Sequence, residues 1–154
     1  MAILFFDSSG LVKRYVAETG TAWVQGLTDP SAGHRRFIAQ ITGVEMMAAV
    51  TRRLRRGDLA PAEAATALAE IQADFGRDYF LLEASLPRVR EAMAMAERHG
   101  LRGYDAVQLA IALFLRSRCR LSGMSDPLLI AADGELNRAA VAEGFAVGDP
   151  NRHP

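Results

Sequence analysis

Cysteine is almost missing from this chain. Cys119 stands alone, which rules out an internal disulfide and leaves too few thiolates for a cysteine metal site. Histidine is scarce too, and His34, His99 and His153 lie far apart with no ligand-like spacing, so they read as surface residues. Lys13 is the only lysine. Every other basic residue is arginine, which genome base composition can explain, although arginine also suits phosphate better than lysine does. Neither sign of charge is in excess: the formal net charge is zero. General attraction to nucleic acid or to an anionic membrane is therefore not indicated, and any polyanion must be held by a local patch. No apolar run reaches the ~18 residues of a membrane span. The opening run is too short for the core of a signal peptide and has no basic region before it. These absences predict a soluble, cytoplasmic protein without a membrane role.

What remains is the composition of a folded globule, with 50% hydrophobic and 23% charged residues. At 154 residues the expectation is one domain over 1–154. Short apolar runs alternate with helical patterns. Strands are predicted over 2–6, 36–40, 79–84, 127–132 and 145–148. Helices are predicted near 9–17, 20–28, 42–56, 61–77, 86–99, 103–117 and 134–143. Gly57, Gly100 and Gly144 fall at predicted helix ends, and Pro61 suits a first turn. Strands separated by helices imply crossover connections and a parallel sheet covered on both faces, which the nearly continuous apolar strands also favour. Right-handed crossovers align the carboxyl ends of such strands along one edge, where ligands of open α/β sheets bind.

Acids fall at that edge. In "AILFFDSSG" the first strand runs straight into Asp7, and in "LLIAADGEL" the fourth runs into Asp133. Capping of the following helix explains each acid taken singly. Glu45, after the second strand, has the spacing of a capping box with Thr42. Asp105, in "LRGYDAVQLAIALFLR", shares a helical stripe with Leu101, Leu109 and Ala112. It either caps a helix starting beside it or faces inward, and a buried carboxylate needs a proton or a partner. Taken together, crowded carboxylates become tolerable when they share protons or hold a cation. An all-oxygen set suits Mg²⁺ or Mn²⁺ and not zinc. Such an ion retains waters, one of which can attack a phosphodiester.

"ILFFDSSGLVKRYVAETG", "ITGVEMMAAVTRRLRRG", "LRGYDAVQLAIAL" and "LLIAADGELNRAAVAEGFAV" resemble the successive motifs of PIN domains, most closely the VapC-type toxins of bacterial toxin–antitoxin pairs. The resemblance spans essentially the whole chain. It implies a three-layer α/β/α sandwich with a central, mainly parallel sheet, and a Mg²⁺- or Mn²⁺-dependent endoribonuclease leaving 5′-phosphate and 3′-hydroxyl ends. It also implies a homodimer neutralised by a small VapB-like antitoxin. Carried over by position, Asp7 and Asp105 match the principal metal-binding acids, and Asp133 the late acid that completes the site. Glu45 matches the acid that orients or activates the attacking water. Ser8 and Thr42 match small hydroxyl positions that bond the carboxylates or the phosphate. Gly43 departs from helix preference, and Gln108 stands where relatives often carry His, so no acid–base role is assigned there.

Arg52 and Arg56 share the helical stripe of Glu45 and form either a phosphate track or a solvated face. Trp23, Val24 and Leu27 read as core packing, or else as a groove for an antitoxin segment. Asp126 and Asp149 each precede proline in turn-like contexts. Two other functional readings compete. A non-catalytic PIN-like protein-binding module would not need all four acids. A phosphoacceptor receiver domain would need paired acids after the first strand and a late lysine, and both are missing.

Overall fold

The computed structural model describes all residues from Met1 to Pro154. Five parallel strands form one sheet in the order β3-β2-β1-β4-β5. They are β1 (Ile3–Phe6), β2 (Arg35–Ala39), β3 (Phe80–Leu82), β4 (Leu128–Ile130) and β5 (Val147–Gly148). All pairings are parallel, and the expected three-layer α/β/α sandwich is the observed architecture.

The first strand is the middle one, and its four residues are all buried. Successive side chains of a strand point to opposite faces, so Ile3 and Phe5 enter one core while Leu4 and Phe6 enter the other. This is why the strand reads as a continuous apolar run. On one face lie α1 (Ser8–Leu11), α2 (Thr21–Thr28), α3 (Gln40–Arg56) and α4 (Pro61–Asp74). The other face carries α5 (Leu86–His99), α6 (Gly103–Leu121) and α7 (Gly134–Ala142).

The outer strands are shorter than the sequence predicts. β3 and β5 pair on one side only, so fewer ladder bonds fix their ends. The predicted helix over 9–17 is instead the single turn of α1 followed by a 3-10 turn at Val12–Arg14. There the buried Lys13 turns its ammonium to the Thr19 carbonyl (3.0 Å) and to Glu18 (3.1 Å). The predicted helix over 61–77 stops at Asp74. That residue instead accepts from Tyr15 (3.0 Å) and pairs with Arg14 (3.1 Å), tying α4 to the chain after α1.

Gly10 and Gly43 are among the glycines that admit close approach. A Cβ on Gly10 would lie 2.6 Å from the Ile130 carbonyl oxygen, so α1 sits directly on β4. A Cβ on Gly43 would lie 2.7 Å from the Phe75 ring. The glycine that weakens α3 by its propensity is thus the one that lets the end of α4 pack against it. Trp23 follows the core reading in part: it is half-buried and stacks on His153, with ring centroids 4.1 Å apart. The histidines are engaged rather than bare, since His34 accepts from the Ala2 amide (3.1 Å) and His99 meets Glu143 (2.8 Å).

Candidate active site

The carboxyl ends of β1, β2 and β4 deliver Asp7, the start of α3 and Asp133 to one edge, and α6 brings Asp105. Asp7 still belongs to the ladder, because its amide donates to the Ile130 carbonyl (3.0 Å). Its Oδ2 accepts from the Ser9 amide (3.0 Å) and the Ser9 hydroxyl, so it does cap α1. Its Oδ1 has no partner, although the residue is only 2% exposed. Capping and function use different oxygens of one carboxylate. Ser9, which the sequence did not single out, also accepts from the Ala132 amide (2.9 Å) and thereby ties Asp7 to the turn that carries Asp133.

Asp133 divides its oxygens in the same way. Oδ1 accepts from the Leu136 amide (2.9 Å) and caps α7, while Oδ2 accepts from Arg102 Nη2 (3.1 Å). Asp105 lies in the first turn of α6, where the N-terminal dipole favours a negative charge. It is no cap. Its Oδ2 has no hydrogen bond and meets only Arg102 Nε at 3.5 Å.

The expected capping box at Thr42 and Glu45 does not form. α3 begins at Gln40 after Ala39, so Thr42 stands two residues beyond the first helical position and not at the cap. Instead, the fully buried Gln108 donates from Nε2 to Thr42 (2.8 Å) and to Glu45 (2.7 Å). Ser8 donates to the other oxygen of Glu45 (3.2 Å). Gln108 thus has a role that its lack of acid–base chemistry concealed: it aims Glu45. We expect Gln108→Leu to lower the single-turnover RNA cleavage rate by ~10–100-fold, the usual cost of losing an orienting partner. Without that donor, the Glu45 carboxyl should protonate more readily and the acid limb of the pH–rate profile should move to higher pH. An unchanged rate and profile would remove Gln108 from the mechanism.

The acids feel one another. Burial, opposed by the Ser9 hydrogen bonds and reinforced by the Glu45 charge, pushes the Asp7 carboxyl up to about 6. Burial, with the charges of Asp133 and Asp7, pushes Asp105 up to about 6, with Arg102 opposing. Burial, with the charge of Asp105, also raises Glu45, against the hydrogen bonds from Gln108 and Ser8. A cleft of ≈ 530 Å³ opens beside them, lined among others by Ser8, Ser9, Glu45, Arg52, Arg53 and Tyr104. Arg52 therefore reaches the site. Arg56 does not: it pairs with Asp58 (3.0 Å) on the exposed surface.

No three His, Cys, Asp or Glu side chains stand as a finished metal cage. The donors nevertheless fit a hard divalent ion. Asp7 Oδ1 and Asp105 Oδ2 are buried and unsatisfied, and Mg²⁺ commonly uses only one or two carboxylates beside its waters and substrate phosphates.

A 3-2-1-4-5 parallel sheet between helical layers, with acids gathered at its carboxyl edge, defines a PIN-like protein. No family model matches the chain. Three solved structures share the fold: PAE2754 from Pyrobaculum aerophilum (TM-score 0.61, 19% identity, 95% of this chain and 83% of that one), a toxin–antitoxin complex from Klebsiella pneumoniae (0.59, 15%, 96% and 97%), and FitAcB from Neisseria gonorrhoeae (0.60, 14%, 96% and 97%). Ribonuclease VapC45 and Ribonuclease VapC49, from two Mycobacterium tuberculosis strains, are each 30% identical to this chain over the full length of both partners. The chain belongs to the VapC ribonuclease family. None of its helices is long and apolar enough to cross a membrane.

Proposed function

We propose that residues 1–154 act as one metal-dependent endoribonuclease, the toxin of a toxin–antitoxin pair, working as a homodimer and neutralised by a VapB-like antitoxin. The observation that carries this reading is the pair of unsatisfied, buried oxygens on Asp7 and Asp105, together with a Glu45 fixed by two donors. Asp7 and Asp105 would hold Mg²⁺ or Mn²⁺, with Asp133 completing the set. When bound, the ion neutralises charge on a phosphoryl oxygen and makes a coordinated water more acidic.

The chain's own groups supply the rest. Glu45, steadied by Gln108 and Ser8, takes a proton from the attacking water. The new P–O bond forms as the bond to the 3′-oxygen breaks, and that oxygen leaves with a proton from solvent. Products with 5′-phosphate and 3′-hydroxyl ends follow. Arg52 and Arg53 at the rim of the cleft offer short-range contacts to RNA phosphates, consistent with zero net charge overall.

The test is cleavage of a defined RNA by the purified protein. Internal cuts are expected with Mg²⁺ or Mn²⁺ and none in EDTA, and Asp105→Asn should lose ~10²-fold or more of the rate, the several kcal/mol of charge stabilisation at stake. Full activity of Asp105→Asn with Mg²⁺ present would overturn the mechanism. A pure binding module would show no cleavage in any condition and would keep its partner affinity in EDTA.

A further inference from the structure

The acids are not left bare. Arg102 reaches across the site from the residue just before α6, with Nη2 3.1 Å from Asp133 Oδ2 and Nε 3.5 Å from Asp105 Oδ2. One planar guanidinium therefore touches the two late acids at once. The side chain is 75% exposed, so no packing holds it there. Only charge and one hydrogen bond do. Its neighbours explain the attraction: Asp105 sits among the charges of Asp133 and Asp7.

We propose that Arg102 is the site's internal counter-cation, holding Asp105 and Asp133 in the metal-free protein and competing with the divalent ion for them. This rests on the metal reading given above and deepens it. The fork is suited to the task, because an arginine can bridge two carboxylates that a lysine ammonium would meet as a single point. Its exposure makes it displaceable, and the entering ion faces a site whose charge is already partly neutralised. Metal affinity is thereby reduced, and the metal-free acids are kept from repelling one another.

The measurement is Mg²⁺ affinity by titration calorimetry, with melting temperature in EDTA as a companion, on wild-type protein, Arg102→Gln and Arg102→Lys. Arg102→Gln should melt lower than wild type without metal, yet bind Mg²⁺ about two- to fivefold tighter at low salt, the range expected when a largely exposed opposing charge is removed. The gain should shrink in ~0.5 M salt as screening grows. Arg102→Lys should fall between the two. A side chain with a purely structural role would, once removed, leave Mg²⁺ binding unchanged or weaker, and either result overturns this inference alone. Absence of Mg²⁺ binding by the wild-type protein would overturn the metal reading and this inference with it.

Discussion

Asp7→Asn is expected to abolish RNA cleavage while making the metal-free protein more stable. The loss follows from removing a principal ligand, ~10³-fold in rate if several kcal/mol of charge stabilisation disappear. The gain follows from burial. The folded-state carboxyl is raised to about 6 from 3.8, so between these values the native chain holds more protons than the unfolded one. Stability of the metal-free protein therefore falls as pH rises through that window and stays reduced above it. Raising the carboxyl from 3.8 to about 6 penalises the charged form by ~3 kcal/mol, which the neutral amide escapes. Melting in EDTA at pH 7.5 should then occur several degrees higher in Asp7→Asn, at ~2–4 °C per kcal/mol for a chain of this size. The difference should fade as pH falls toward 3.8 and vanish below it, and saturating Mg²⁺ should narrow it by stabilising only the wild type. An inactive variant that is also less stable than wild type at pH 7.5 in EDTA would contradict this account of Asp7.

Gly10→Ala is expected to be strongly destabilising. The added carbon would stand 2.6 Å from the Ile130 carbonyl oxygen and 3.3 Å from the Ala131 Cα, and backbone cannot rotate away as a side chain can. Overpacking of this kind costs ~1–3 kcal/mol or more. It would also lift α1 from β4, where the Asp7 amide meets Ile130 and the Ser9 hydroxyl meets Ala132. Chemical denaturation should show the lower stability, and cleavage should fall with it. Gly26, inside α2 with open space around it, is the control: Gly26→Ala should be neutral or stabilise by up to ~1 kcal/mol through helix propensity. Equal behaviour of the two variants would mean that the α1–β4 contact is not tight.

The parts of this structure legible in the sequence are those written locally. β1 shows as an apolar run because its side chains enter two cores in alternation. Asp7 and Asp133 show as acids after strands because caps are fixed by neighbours two or three residues away. The electrostatic grouping of Asp7, Glu45, Asp105 and Asp133 follows from sheet topology. Gln108 was not legible because its partners lie 63 and 66 residues away, and Arg102 because its contact with the neighbouring Asp105 gains its meaning only from Asp133, 31 residues on. Gln108 interrupts an apolar stripe of α6, and Arg102 is one of many arginines. A buried glutamine in such a stripe is the sort of signal that could have been followed, since a buried amide must find partners. Thr42 and Glu45 misled for the opposite reason: their local spacing fitted a motif that the earlier start of α3 had already made redundant.

The middle strand of the sheet precedes the other four in the chain, yet one of its two edges stays uncovered until β4, at Leu128–Ile130, has been made. Asp133 follows only after that. A polypeptide that stops short of β4 therefore lacks both the strand beside β1 and Asp133. A chain stopped before Leu128 should therefore be harmless to the RNA around it.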